Sequence, residues 1–270
     1  MSREKKLGVI AGSGEIPFYI CQRAKKEGYD CVVAGIQGES DPKLKEFSDE
    51  YGLFEVKDFM RLVSWLQGNG VNQLVLAGKV RHTVIYSKES FSPLLLSLME
   101  RPANRSPEEM IKAVFAYLES QGIKVMDPSQ FVSDLFCHQG VLSGKKVPSF
   151  IKEEIGYGWP IARQIADLDI GQTVVVKDQA VVAVEAMEGT DRVIQRGGSV
   201  AGPGCVVLKA ARTHQDPRID QPTVGLKTIQ SLIQARCSAL CIQARKVLFL
   251  DKSKGLELAD KKGLSIIVKE

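Results

Sequence analysis

The chain has 270 residues, 44% of them hydrophobic and 25% charged, and 36 basic against 32 acidic side chains leave a net charge of +4. These are globular proportions at a length sufficient for two compact domains or one large one, so wholesale disorder is excluded. The small basic excess shows no Lys/Arg block with interleaved aromatics, which argues against a nucleic acid partner and leaves a small anionic ligand open.

Met1-Ser2-Arg3-Glu4-Lys5-Lys6 passes straight into a short apolar run, without the longer apolar region and cleavage site of a secretory signal, so a cytoplasmic location is expected. Leu7 to Ala11 reads as an apolar strand ending in Gly12-Ser13-Gly14. Pro17 then stands where a first helical residue would, and Gly28 closes the helix. A strand at Tyr29 to Ala34 is followed by a loop ending at Pro42. Lys57 to Gln67 places Phe59, Leu62, Val63 and Leu66 on one helical face, and Gln73 to Ala77 is another buried strand. The longest uncharged stretch, Leu62 to Gly78, is broken by Gln67, Gly68, Asn69, Gly70, Asn72 and Gln73, so no segment is expected to cross a bilayer. This βαβ alternation implies a parallel sheet covered on both faces.

Ser90 to Met99 is apolar without strand period. It reads as core or a subunit contact, which would allow a homodimer, in preference to a surface for lipid chains. Ser106-Pro107-Glu108-Glu109 has the form of a capping box. Met110, Ile111, Val114, Phe115 and Leu118 supply the apolar stripe that follows, up to Gly122. Strand Lys124 to Met126 completes the first domain, and Ser143 to Pro148 reads as a connector. The expected fold is therefore α/β: a Rossmann-like parallel-sheet domain over 1–142, and a second α/β domain with a mixed sheet over 143–270. In that second domain Thr173 to Lys177 and Ala180 to Glu185 form a hairpin about Asp178-Gln179. Further apolar runs lie at Val206 to Lys209, Ala239 to Ile242, Val247 to Leu250 and Leu264 to Val268, with a helix marked by Leu226, Ile229, Leu232 and Ile233.

Four places can carry chemistry. Gly12-Ser13-Gly14 lies where a strand feeds a helix, so backbone N–H groups and the helix terminus can hold a phosphate, though Pro17 replaces the third glycine of the dinucleotide fingerprint. A mere tight turn is the plain alternative. Gly78-Lys79 follows a strand at the carboxyl edge of the same sheet, where open α/β folds bind ligands, or is simply an exposed turn. Glu185-Ala-Met-Glu-Gly-Thr190-Asp191 gathers three carboxylates and a hydroxyl, a donor set for magnesium or, more blandly, a solvated turn with an N-cap. Lys209 to Gly225 is a long polar stretch between rigid elements, in which Asp216, Asp220, Lys209, Arg212 and Arg218 mix the ligands of a metal with those of a phosphate.

Weaker signals are read as structure. His82, His138 and His214 show no zinc spacing, and the six cysteines form no Cys-x-x-Cys pair, so buried reduced thiols are expected.

Together, Leu7-Gly-Val-Ile-Ala-Gly-Ser-Gly-Glu-Ile-Pro17, Ala77-Gly-Lys-Val80, Leu168-Asp-Ile-Gly-Gln172, Ala183-Val-Glu-Ala-Met-Glu-Gly-Thr-Asp191 and Ile219-Asp-Gln-Pro-Thr-Val-Gly225 resemble the LpxI family over essentially the whole chain. The resemblance implies magnesium-dependent hydrolysis (or with another divalent cation, such as Mn2+) of UDP-2,3-diacylglucosamine to 2,3-diacylglucosamine 1-phosphate and UMP in lipid A synthesis. It also implies a substrate held between two domains and water attacking the phosphorus next to uridine. The essential aspartate falls on Asp220 and the phosphate loop on Gly12, Ser13 and Gly14. Lys79 stands where members often have Asn. On this reading Asp220, with Glu185 and Asp191, surrounds the metal, while Gly78, Lys79, Gln172, Thr190, Lys209 and Thr223 contact substrate. The partner is a lipid-linked UDP-sugar, met in transient peripheral contact with the cytoplasmic face of the inner membrane. Two rivals stay open: a non-catalytic nucleotide-sugar-binding module, and a nicotinamide oxidoreductase. The missing third glycine and the lack of an acidic residue ending strand Tyr29 to Ala34 count against the latter.

Overall fold

The computed structural model describes residues 5–80, 92–100, 107–144 and 146–270, and its chain divides into two compact units. Residues up to Val132 together with Pro217–Ile219 make the first; Ser133–Asp216 and Asp220–Glu270 make the second.

In the first unit β1 (Lys5–Ala11) leads through α1 (Ile16–Lys26) to β2 (Tyr29–Ile36), β3 (Glu50–Phe54), α2 (Phe59–Gly68) and β4 (Gln73–Ala77). Then come α3 (Pro93–Glu100), α4 (Pro107–Ser120), β5 (Lys124–Val125) and α5 (Ser129–Val132). All five strands are parallel, in the order β3-β2-β1-β4-β5. The chain thus winds outward from β1 in both directions, and the order reverses between β1 and β4, the position at which open α/β sheets bind ligands. Leu62, Val63 and Leu66 of α2 pack with Val32, Ala34 and Leu74 of the sheet and with Phe115 and Leu118 of α4, while Ile20, Cys21 and Ala24 of α1 are also buried.

The second unit contains β6 (Gly140–Ser143), α6 (Ser149–Asp167), β7 (Thr173–Lys177), β8 (Ala180–Val184), α7 (Thr190–Ala201) and β9 (Val206–Lys209). It continues through β10 (Thr223–Val224), α8 (Leu226–Gln234), β11 (Ala239–Gln243), β12 (Leu248–Phe249), α9 (Lys252–Lys262) and β13 (Ser265–Lys269). Its main sheet runs β6-β13-β11-β9-β7-β8, with β9, β11 and β13 parallel and β6 and β7 antiparallel to their neighbours; β10 and β12 pair separately. Alternate residues serve opposite faces. Val174, Val176, Val206 and Leu208 meet Ile155, Trp159 and Ala162 of α6, whereas Val175, Val207, Leu240 and Ile266 meet Val193, Ile229 and Ala259 of α7, α8 and α9. Double coverage is why these strands are continuous apolar runs.

The hairpin forms where expected, with Asp178 (φ 52°) and Gln179 (φ 53°) both left-handed, as a tight two-residue turn requires. Buried Glu154 accepts the Gln179 N–H at 3.1 Å and stabilises it. Other expectations are corrected. The boundary drawn at 142/143 falls instead at 132/133, and Ser143, the first residue of the expected connector 143–148, closes an edge strand, Gly140–Ser143, paired antiparallel with β13. Strand β3 and helices α6 and α9 had no sequence expectation. Helix α6 contains Gly156, Gly158 and Pro160, all poor helix formers. Glycine at 158 lets the helix pack closely on the sheet, since a Cβ there would force the Leu208 side chain to shift. Ser106 of the capping box, His82, and Ser90 and Phe91 of the apolar stretch lie outside the described residues; Pro93–Glu100 of that stretch is helix.

Candidate functional site

At the reversal point of the first sheet, the two glycine turns read separately in the sequence are joined. Gly12 N–H donates to Ala77 O at 2.8 Å, Ser13 N–H to Lys79 O at 2.8 Å, Lys79 N–H to Ser13 O at 2.9 Å, and the Ser13 hydroxyl to Lys79 O at 2.8 Å. Close approach explains the glycines: a Cβ on Gly12 would sit 2.4 Å from Lys79 O, and one on Gly78 (φ +84°) 2.6 Å from Ser13 O. The pairing corrects part of the phosphate-loop expectation, because the N–H groups of Gly12 and Ser13 are committed to neighbouring carbonyls. Gly14 (φ +98°) leads into α1, and Gly78 and Lys79 are exposed.

In the second unit the residues singled out by sequence form two adjoining clusters. The first is buried. Lys209 ends β9, Thr173 begins β7 and is its register partner, Glu185 follows β8, and Thr190 opens α7. With only 4% of its surface exposed, Lys209 donates from Nζ to Thr190 Oγ1 at 2.7 Å and Thr173 Oγ1 at 3.3 Å. Thr190 donates in turn to Glu185 Oε1 at 3.0 Å, while Glu185 Oε2 has no hydrogen-bond donor among the described residues and lies 3.9 Å from the Lys209 ammonium. A buried charge is tolerated only when paired and hydrogen-bonded, and this arrangement nearly completes that requirement. Lys209 is thus a buried partner of Glu185 and the two threonines.

The second cluster is exposed and centres on Asp220. Its Oδ2 accepts from Gln172 Nε2 at 3.2 Å and from Gln215 Nε2 at 3.3 Å, and Gln215 Nε2 also donates to the Asp220 carbonyl at 2.9 Å. The clusters adjoin through the chain itself: Gln172 precedes Thr173, Ala210 follows Lys209, and Ala210 N–H donates to Gln172 O at 2.9 Å. Close packing of the 168–172 turn on Glu185 requires Gly171, where a Cβ would meet Glu185 O at 2.0 Å. Thr223 opens β10 and donates its hydroxyl to Gln221 O at 2.9 Å, and the Asp191 carboxylate is bridged to Lys227 at 3.2 Å. Arg212 pairs with Asp169 at 3.0 Å; Arg218 pairs with Glu119 at 3.5 Å and stacks over the Phe115 ring in the first unit.

Glu185, Asp191 and Asp220 were expected to share one metal ion. Among the described residues no group of three or more His, Cys, Asp or Glu side chains is placed to hold one. Lysines explain the difference, since Lys209 faces Glu185 and Lys227 bridges Asp191. The donors present do not fit an all-protein cage. Asp220, exposed and bonded to neutral carboxamides, fits a hard cation that takes its other ligands from water and phosphate. Thr173 and Gln215 escaped the sequence reading; the antiparallel register of Thr173 with Lys209 is the feature that brings the first into the cluster.

A two-unit α/β protein, with a doubly wound parallel sheet in one unit and a lysine–glutamate cluster beside an exposed aspartate in the other, is the class these features define. Comparison with known proteins narrows it. The LpxI N-terminal domain model matches residues 6–135 and the LpxI C-terminal domain model residues 138–267. The chain belongs to the LpxI family. It is 26% identical to UDP-2,3-diacylglucosamine pyrophosphatase LpxI of Caulobacter vibrioides over 280 aligned residues, covering 97% of both chains. Among solved structures, the biotin carboxylase domain of 2-oxoglutarate carboxylase from Hydrogenobacter thermophilus aligns at 14% identity over 73% of this chain and 41% of its own, with a TM-score of 0.29. N5-carboxyaminoimidazole ribonucleotide synthetase from Thermotoga maritima aligns at 15% identity over 64% and 34%, with a TM-score of 0.27. Likenesses of that size say nothing about what this chain does.

Proposed function

We propose that this chain hydrolyses the pyrophosphate bond of UDP-2,3-diacylglucosamine to 2,3-diacylglucosamine 1-phosphate and UMP, a step of lipid A biosynthesis, with water attacking the phosphorus next to uridine. The observation that carries the proposal is the end-to-end alignment with a relative named for that pyrophosphatase activity, covering 97% of each chain. Phosphoryl transfer asks a protein chiefly for positioning and charge neutralisation, so an exposed, oriented carboxylate suits it. In this reading Asp220 is the catalytic residue, holding the attacking water or a divalent cation. Magnesium, or manganese in its place, would be held by Asp220 together with oxygens of the substrate, and would neutralise charge building on the phosphate. The buried Lys209–Thr190–Glu185 cluster keeps the first turn of α7 in place beside that site.

The substrate carries two acyl chains, so the protein works in transient contact with the cytoplasmic face of the inner membrane. No helix among the described residues is long and apolar enough to cross a membrane. Turnover of UDP-2,3-diacylglucosamine in oxygen-18 water tests the proposal. Magnesium-dependent release of UMP carrying the label is expected from the wild type, and Asp220→Ala is expected to lose at least a hundredfold in kcat. Label in the sugar phosphate would overturn the point of attack; full activity in the variant would remove Asp220.

A further inference from the structure

The two oxygens of Asp220 are treated differently. Two side-chain donors, Gln172 Nε2 at 3.2 Å and Gln215 Nε2 at 3.3 Å, converge on Oδ2, and among the described residues Oδ1 accepts no hydrogen bond. We infer that Gln172 and Gln215 are positioning residues that fix Asp220 through Oδ2 and leave Oδ1 as the working oxygen. This inference rests on the proposed role of Asp220.

Three features carry it. Gln215 grips one residue twice, since the same Nε2 reaches both the carboxylate and, at 2.9 Å, the backbone carbonyl of Asp220; that fixes the side chain relative to its own main chain. Gln215 is itself oriented, because its Oε1 accepts the Arg212 N–H at 3.3 Å, which leaves the amide nitrogen facing the aspartate. Gln172 is held from behind, where its carbonyl accepts the Ala210 N–H at 2.9 Å and its neighbour Thr173 is bonded to buried Lys209. Two elements of the second sheet thus determine where Gln172 can reach.

The chemistry of the donors matters as much as their placement. Carboxamides orient a carboxylate without cancelling its charge, and supporting hydrogen bonds of this kind place a reacting group without touching substrate. Glu185 shows the contrast, since an ammonium lies 3.9 Å from its second oxygen and a hydroxyl occupies the first. Of these two carboxylates, Glu185 is buried against an ammonium, whereas Asp220 is exposed and bonded only to carboxamides through one oxygen. The sequence reading placed Gln172 on the substrate and passed over Gln215; the geometry turns both toward the aspartate.

The test compares Gln172→Met, Gln215→Met and their double variant with Asp220→Ala in the full chain, measuring kcat and KM for UDP-2,3-diacylglucosamine and confirming folding by thermal melting. Methionine keeps the length of glutamine and removes the donor. Each single variant is expected to lower kcat about 10–100-fold, the usual effect of removing a supporting hydrogen bond, with KM within twofold of wild type. Added to Asp220→Ala, either change is expected to lower kcat no further, because nothing remains to be oriented. If Asp220→Ala is inactive while the glutamine variants keep kcat within twofold, the inference is overturned and the role of Asp220 stands. Raised KM with unchanged kcat overturns it in favour of direct substrate contact. Full activity in Asp220→Ala defeats the underlying reading itself, whatever the glutamines do.

Discussion

Asp220 and Lys209 are both charged residues of one polar stretch, yet their surroundings assign them opposite duties. Asp220 is exposed and bonded to neutral amides, whereas Lys209 is 4% exposed and donates to two threonine hydroxyls. Replacing Lys209 leaves Glu185 buried without its cation, and the desolvation cost falls on the carboxylate. Lys209→Met is expected to destabilise the protein by about 3–5 kcal/mol, the usual consequence of breaking a buried pair from one side. Adding Glu185→Gln is expected to recover much of that loss, with urea unfolding as the measurement; a Lys209→Met protein as stable as wild type would show that the pair contributes nothing. Cys237 and Cys241 occupy the inert end of the same scale. All six are free and buried, and burial pushes the thiols of Cys237 and Cys241 up to about 12.

Helix α6 shows how an element can satisfy the fold while violating local preference. Ile151, Ile155, Trp159, Ala162 and Ala166 make a stripe that packs on β7, β9 and β11, but Gly156, Gly158 and Pro160 interrupt the pattern a reader looks for. Because a Cβ at 158 would lie 2.2 Å from Leu208 Cδ1 and 3.0 Å from Val176 Cγ1, Gly158→Ala is expected to cost about 1–3 kcal/mol through overpacking, despite alanine's better helix propensity. Gly156→Ala, with open space at its Cβ, is expected to raise stability in the same thermal melts. Opposite signs from two glycines two residues apart would be a direct reading of packing against propensity. At its far end α6 is held by Thr213, whose N–H and hydroxyl both donate to Asp167, keeping that carboxyl below its usual range, chiefly through the backbone bond. The same contact ties α6 to the loop that carries Gln215.

For the whole molecule the last strand is decisive. β13 lies between β6 and β11, so residues 265–269 are an inner strand of the second sheet although they end the chain. Ile266 and Val268 belong to the core shared with α8 and α9, and Trp159 Nε1 donates to the Glu270 carbonyl at 2.9 Å. A chain ending at Gly263 is expected to lose the second unit's cooperative melt, because two neighbouring strands would expose unpaired edges. Retention of that transition by circular dichroism would show that β13 is dispensable.

How much of this was legible in the sequence follows from the range of each signal. Strands buried on both faces announce themselves as apolar runs, and the Asp178-Gln179 turn and the α2 and α8 stripes are local patterns, so they were readable. Strand β3 was not, since Gly52 weakens a run that only pairing with β2 completes, and neither was β6, whose partner β13 lies more than 120 residues away. By itself the sequence determined the α/β class, the family resemblance and the candidacy of Asp220, because those depend on residue types in order. Tertiary structure alone decided that Gly12 and Gly78 close one turn against the other, that Lys209 is an internal counter-charge, and that two glutamines face Asp220 Oδ2. Each of these is a contact between residues distant in sequence or a matter of burial, and neither distance nor dielectric environment is written in local order.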